Sequence, residues 1–368
     1  MNSPLQTAID NALEHHATCS AHTQQRIQAL IHSPQPRYLI GKNTESLAAL
    51  QWLPFAGLID DTAQPHTQWN GLPVLPMRDV SQHAWVLNCT SSIAPVNVQR
   101  ALYSAGLHNT LHLGDLLPHP ECPATLHPAF MTEQRTDYAQ HPAEWDALYH
   151  RLADEESRNT LLDVLRFRLT AHPMYMQQYN VRLREQYFEE FLHLNQDVFV
   201  DAGGFDGDTT EEFCKRAPHY RKVFLFEPAA ANMAAAKRRL ANHRHIEFIE
   251  QGLSDQAATL SFDPDAGSAC AVSQQSQHTI RVNTLDAMVS EPVTFIKMDL
   301  EGWELHALAG CKQHIHNHHP KLALSVYHQA SHFRDIMHTV LSMHPHYQVR
   351  LRHYTQGWSE TVMFFTSE

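Results

Sequence analysis

The apolar residues change their period several times along the chain, and each change predicts a different kind of structure. Residues 1–36 carry Ala8, Leu13, Ile27 and Leu30 at helical spacing, which predicts one helix closed by Pro34 and Pro36. Residues 37–117 then alternate short apolar runs with helical stretches. Tyr38–Gly41, Ala56–Asp61 and Trp85–Cys89 read as strands, and Thr44–Leu53 and about Pro95–Ala105 read as helices. That rhythm predicts a small parallel sheet of mononucleotide-binding type. From 118 to 194 the helical period returns in Trp145, Leu148 and Leu152, then in Leu161, Leu162, Leu165 and Leu169. A helical connector is expected there, ending in Tyr187, Phe188, Phe191 and Leu192 as packing residues.

Residues 195–368 alternate again. Val198–Val200 reads as a buried strand, and a helix starts near Thr209 with Glu211 and Glu212 in its first turn, as the helix dipole prefers. Val223–Phe226, Ile246–Ile249, the apolar run at Phe295 and Leu322–Tyr327 read as further strands. Tyr347–Tyr354 and Glu360–Thr366 flank a loop too short for a helix, so they are expected to form an antiparallel hairpin. A parallel sheet finished by such a hairpin is the topology of class I methyltransferases rather than of dehydrogenases. The expected fold class is therefore α/β: a Rossmann-like methyltransferase sheet at 195–368, a smaller N-terminal α/β domain at 37–117 and the helical connector.

Composition narrows the partners. The chain has 368 residues, 27 basic and 39 acidic, for a net charge of −12 with histidine neutral. That balance argues against nonspecific nucleic-acid binding. No apolar run is long enough to span a membrane. The start, MNSPLQTAIDNALEHH, lacks the basic and apolar regions of an export signal, so a cytoplasmic location is expected. Cys19, Cys89, Cys122, Cys214, Cys270 and Cys311 form no CxxC pair and read as free thiols without a zinc site. Of the 29 histidines, the densest group is His314, His316, His318 and His319. It reads as a solvated helix end before Pro320 rather than a metal site, and no metal is expected.

The candidate chemistry sits at strand ends. After Val198–Val200 comes DAGGFDGDTT (201–210), where glycines at a strand-to-helix turn let backbone approach a ligand closely. A dinucleotide fingerprint begun at Gly203 would need glycine at 205 and 208, where Phe205 and Asp208 stand. The spacing of Asp201, Gly203 and Gly207 is instead that of S-adenosylmethionine enzymes. Glu227 ends the next strand, placed to accept both ribose hydroxyls of an adenosine. The fourth strand runs into Lys297-Met298-Asp299-Leu300-Glu301-Gly302-Trp303-Glu304, at the carboxyl end where ligands bind in open α/β sheets. Asp299 and Glu301 read as functional, Glu304 as a first-turn helix acid.

Together, VDAGGFDGDTT, FLFEP, NTLDAM, FIKMDLEGWELHALAG, LSVYH and LRHYTQGWSETVMF resemble the FkbM-type methyltransferases over about residues 185–368. DEESRNTLLDVLRFRL (154–169) and EQYFEEF (185–191) are similar to segments that precede the core in longer members. The resemblance implies O-methylation with S-adenosylmethionine, sugar or polyketide hydroxyls being typical acceptors. Here the acceptor is expected to be a sugar of a surface glycan or its nucleotide-linked precursor. Gly204 stands where many members have alanine. Trp303 replaces a commonly small residue, a bulk that would narrow the acceptor pocket. The donor-binding residues implied are Asp201, Gly203, Gly204, Phe205, Asp206 and Gly207 of the turn, Glu227 and Pro228, and Gly252, Leu253 and Ser254 where the adenine should lie. An alcohol needs a base, for which Asp299, Glu301 and His328 are the candidates, with Lys297 steadying the acceptor or holding Asp299 ionised.

The N-terminal sheet carries less. Gly41 is the one glycine of its first turn, so a full phosphate loop is missing. PFAGLIDD…WNGLPVLPMRDV (54–80) weakly resembles small Rossmann-like domains of sugar-modifying acyltransferases. This leaves a sugar-nucleotide docking domain, with Asp60 or Asp61 on a ribose, or a structural domain that pairs two copies as a homodimer. The alternative functions are an NAD-dependent sugar oxidoreductase or epimerase, disfavoured by the absent fingerprint, and a noncatalytic nucleotide-sugar-binding protein, disfavoured by the intact Asp201, Gly203, Gly207 and Glu227.

Overall fold

The computed structural model describes residues 3–18, 20–261 and 279–367, which fold as two compact units. The first comprises Met1–Tyr149, Asn159–Val181 and Tyr354–Ser359; the second, His150–Arg158, Arg182–His353 and Glu360–Glu368. The helices expected as a connector thus divide between the two.

The chain opens on two helices, Pro4–Ala17 and Ala21–His32, where one was expected. Ser20 is the cause: its hydroxyl accepts from Thr23 N and caps the second helix, as Ser3 caps the first. The first unit's sheet is built from β1 (Arg37–Ile40), β2 (Gly57–Ile59), β3 (Gln68–Trp69), β4 (Leu72–Leu75), β5 (Trp85–Asn88) and β6 (Thr110–His112). Their order is β3-β4-β2-β1-β5-β6, parallel except where β3 meets β4. Ile59, Val86, Leu102 and Leu107 close a core on one side of it.

The second unit's main sheet contains β7 (Val198–Ala202), β8 (Lys222–Phe226), β9 (Ile246–Ile249), β13 (Phe295–Met298), β14 (Lys321–Ser325), β15 (Gln348–His353) and β16 (Thr361–Thr366). Between them, β10 (Gly252–Leu253), β11 (Ala258–Ser261) and β12 (Thr279–Asn283) make a small separate sheet in the order β10-β12-β11. The main order is β15-β16-β14-β13-β7-β8-β9, with β15 and β16 the antiparallel hairpin. All residues of β7 and β13 are buried, which is why they read as continuous apolar runs. Asp201 of β7 and Lys297 of β13 are the charged exceptions. They are register partners across the sheet, and the two pair at 3.0 Å.

The histidine group behaves differently from the expected solvated end. His316, His318 and His319 are exposed, but His314 is buried and its Nε2 lies 3.0 Å from the Val289 carbonyl oxygen. Cys89, Cys214 and Cys311 are buried free thiols and Cys122 is half-buried; Cys19 and Cys270 lie outside the described residues. Among the described residues no helix is long and apolar enough to cross a membrane.

Candidate active site

A cavity of about 380 Å³ opens at the carboxyl ends of β7, β8 and β13. Its size suits a small-molecule site. The glycine turn after β7 forms part of its wall. Gly203 takes φ +79°, and a Cβ there would meet the Asp299 carbonyl oxygen at 2.0 Å, so only glycine lets these two turns close on each other. Gly204 is also tight, because a Cβ would come within 2.6 Å of the Leu225 side chain.

One end of the cavity is apolar, with Phe226, Pro228, Leu253, Ile280 and Val282. Glu227 stands among them. Phe205 N donates to its Oε2 at 3.0 Å and Ala229 N to its Oε1 at 2.8 Å, fixing the carboxylate at the cavity wall. Burial raises its pKa, against these N–H groups. Apolar side chains beside a fixed carboxylate suit a purine ring and a ribose diol, so the donor set fits the nucleoside of S-adenosylmethionine. Trp303 belongs to this side: its indole N–H donates to Ser254 Oγ at 3.3 Å and its ring stacks on His306. Its ring is thus tied to the Ser254 and His306 side, while it still lines the cavity.

The other end is polar, with Gln186, Tyr187, Asp299, Glu301, Tyr327 and Glu360. Tyr187 OH donates to Asp299 Oδ2 at 2.7 Å and accepts from Gln186 Nε2 at 2.8 Å. The same Gln186 amide donates to Glu360 Oε2 at 2.7 Å. Four non-glycine residues of this cavity hold left-handed backbone: Tyr187 (φ 73°), Phe205 (45°), Glu301 (50°) and Glu360 (67°). Such conformations cost energy and cluster where a side chain must be aimed.

Of the residues expected at the site, Gly203, Phe205, Glu227, Pro228, Gly252, Leu253, Lys297, Asp299 and Glu301 line the cavity. Asp201, Gly204, Asp206, Gly207, Ser254 and His328 do not. Asp201 is wholly buried and bonds Thr210 Oγ1 and Lys297 Nζ. Lys297 also donates to the Gly203 carbonyl oxygen at 2.8 Å, so its ammonium braces the turn from within. Burial lowers the Lys297 pKa, but the charges of Asp201 and Asp299 outweigh it and leave the value raised.

His328 lies behind the wall. Its Nδ1 faces Glu304 Oε1 at 3.0 Å and its Nε2 faces Asp299 and Glu301 at 3.3 and 3.4 Å. Burial opposes the charged ring, but these carboxylates together lift its pKa well above the ordinary value. The surroundings therefore favour the charged ring, which makes it a poor proton acceptor. Asp299, Glu304 and His328 bring ligand-type atoms within 4.8 Å of one another, as a metal centre would. In that cluster the ring lies between the two carboxylates, 3.0 Å from Glu304 and 3.3 Å from Asp299. Glu304 does begin a helix and accepts from Leu300 N at 2.7 Å, as expected of a first-turn acid. Its pairing with His328 adds a second role.

The first unit has its own candidate place. In a doubly wound sheet the ligand crevice lies where strand order reverses, here beside β1 and β5. Asp60 is already engaged there by Lys42 and Thr62, and the Lys42 hydrogen bond holds its pKa down at about 2. Asp61 accepts from Met77 N. The helix after β5, Pro95–Ser104, is capped by Gln356, whose Oε1 accepts from Asn97 N at 2.9 Å and whose Nε2 donates to Asn97 Oδ1 at 3.0 Å. Gln356 N donates to the Ile93 carbonyl and Trp358 N to that of Ser91.

The second unit's strand order, glycine turn and two-ended cavity define a class I methyltransferase that uses S-adenosylmethionine. Residues 201–354 match the family model described as the methyltransferase FkbM domain. The C-terminal domain thus matches the FkbM methyltransferases, and the protein is an S-adenosylmethionine-dependent methyltransferase. In structure, the chain is similar to a methyltransferase FkbM from Methylobacillus flagellatus KT, with 22% sequence identity, a TM-score of 0.73 and 98% of each chain covered. That likeness is one of fold. Aeropyrum pernix fibrillarin, solved with natively bound S-adenosyl-L-methionine, matches 50% of this chain and 71% of its own at 12% identity and a TM-score of 0.34. An rRNA methylase from Streptococcus thermophilus matches 49% of this chain and 93% of its own at 17% identity and a TM-score of 0.33. A comparison with curated proteins finds no match.

Proposed function

We propose that the protein is an O-methyltransferase whose acceptor is a sugar hydroxyl, in a surface glycan or its nucleotide-linked precursor. The observation that carries this reading is the polar end of the cavity, where carboxylates, tyrosine hydroxyls and an amide converge within one small wall. Carboxylates accept hydrogen bonds only, and each has room for several, which suits a ligand presenting many hydroxyl donors.

Roles follow from placement. Glu227 would accept both ribose hydroxyls of the donor, with Pro228, Leu253 and Val282 covering its adenine. Gly203 and Phe205 would bring backbone against its amino-acid end. When bound, S-adenosylmethionine supplies a sulfonium methyl that is already electrophilic, so the enzyme's main task is alignment. Asp299 and Glu301 would hold the acceptor's hydroxyls, with the charge of His328 behind them helping to keep Asp299 ionised. Lys297 keeps the Gly203 turn in place.

The test is incubation with S-adenosylmethionine and a panel of nucleotide sugars, read by mass spectrometry and by the position of the new methyl group. Transfer to a sugar oxygen is expected. Donor binding with transfer only to nitrogen or carbon would overturn the reading. Glu227→Gln should weaken donor affinity by about 10- to 100-fold in calorimetry, the cost of weakening charged hydrogen bonds.

A further inference from the structure

We propose that Glu360 is the catalytic residue that takes the proton from the acceptor hydroxyl, standing in the cavity wall with Asp299. This rests on the O-methyltransferase reading above and names the base that reading requires.

The first ground is position. β16 runs antiparallel to β14, and Val362 pairs with Ser325 at the carboxyl end of β14. A residue just before β16 therefore stands on the same rim as residues just after the parallel strands. Glu360 is that residue, and it lines the cavity with Asp299.

The second ground is strain. Glu360 holds φ 67°, where glycine would sit without cost. Keeping a glutamate there, at a cost of about 1 kcal/mol, makes sense where its carboxylate is needed.

The third ground is the state of each competing group. Asp299 is opposed by burial but held low by the charges of His328 and Lys297, which makes it a weak base. His328 is held toward its charged form by the carboxylates around it, and Glu301 is turned to it at 3.4 Å. Lys297 is an ammonium committed to Asp201 and Gly203. Glu360 has a neutral hydrogen-bond donor, Gln186, on Oε2. Burial first, and then the charge of Asp299, push its carboxyl up to about 7. A base is most effective when its pKa lies near the working pH. The charged and titratable groups around it are Lys297 and Asp299 of the β13 end, Glu301 of the next turn, Tyr327 and His328 after β14, and Tyr187 before β7.

The step balances. The acceptor oxygen bonds the methyl carbon as its O–H bond breaks, the S–C electron pair stays on sulfur, and the proton goes to the Glu360 carboxylate.

The experiment compares wild type, Glu360→Gln, Glu360→Asp and Asp299→Asn, each checked for folding by thermal melting and for S-adenosylhomocysteine binding. Infrared difference spectra between pH 5 and 9, with S-adenosylhomocysteine bound, should show one protonated carboxyl titrating near neutrality. Glu360→Gln should abolish that band, and Asp299→Asn should move its midpoint down. With a nucleotide sugar the wild type methylates, Glu360→Gln should lower kcat by about 100- to 10,000-fold and erase the acid limb of the pH profile. Donor affinity should stay within about twofold, and Glu360→Asp should restore part of the rate. A Glu360→Gln enzyme with near-wild-type kcat and an unchanged acid limb overturns the proposal, as does survival of the band. Failure of the wild type to methylate any hydroxyl sinks the broader reading instead, and the infrared band then decides separately whether Glu360 is the titrating acid.

Discussion

Glu304 Oε1 stands 3.0 Å from His328 Nδ1, and neither side chain is more than 7% exposed. The pairing reaches the cavity through the ring, because His328 Nε2 faces Asp299 and Glu301. A buried acid thereby holds the ring that faces two acids lining the site.

Glu304→Gln should destabilise the protein by about 3 kcal/mol near pH 6, the cost of breaking one side of a buried ion pair. The folded His328 pKa lies above its ordinary 6.5, so this stabilisation is complete below 6.5 and fades as pH rises through the raised value. Urea melts of both proteins at pH 6 and in alkaline buffer check this. An equal gap at both would mean that the histidine charge is not involved.

Gly203→Ala should cost several kcal/mol and abolish S-adenosylhomocysteine binding, because its Cβ would meet the Asp299 carbonyl at 2.0 Å. Gly71 makes the control, since it shares the backbone conformation at φ +80° but has nothing within 4 Å of a Cβ. Gly71→Ala should cost only the strain, about 1 kcal/mol. Similar melting temperatures for the two variants would contradict the close approach of the two turns.

Asp154→Asn should cost about 1 kcal/mol near pH 7. The Asp154 carboxylate takes Arg352 Nη2 at 3.0 Å and Ser157 N at 2.7 Å, and Arg350 Nε lies 3.3 Å away. Burial would raise its pKa, but these partners, Arg352 first, bring it down to about 2. The figure is discounted for partial exposure. Because the folded pKa is depressed, the stabilisation is present above 3.8 and lost as pH falls through about 2. Acid melts should show the variant converging on wild type over that window, and a gap that persists below pH 2 counts against it.

Much of the second unit was legible because its signals are local. The apolar run of β7 followed by Asp201, Gly203 and Gly207, the acid at Glu227 and the short loop between β15 and β16 each state their geometry within a few residues. Glu360 and Tyr187 were not legible, because their place depends on pairing with distant strands. The available clue was directional: an acid preceding an antiparallel strand lies on the rim that acids following parallel strands occupy. Asp201 misled in the opposite sense. Its position in the motif suggests a ligand, whereas its register opposite Lys297 makes it the partner of a buried cation. Ser20 is a local cap signal that competes with the continuous helical period around it, and the burial of His314 depends on Val289, 25 residues earlier.

The hairpin tip Tyr354–Ser359 has a consequence for how such a protein can be cut or recombined. Its residues are covalently part of the methyltransferase sheet's last turn, yet Gln356 and Trp358 find their partners at Asn97, Ile93 and Ser91. A fragment starting at residue 195 would carry the tip without its socket, and one ending there would leave the Pro95–Ser104 helix uncapped by Gln356. The stretch that the family match delimits is therefore not a detachable cassette. Exchange between homologues would have to move both ends of the gene together.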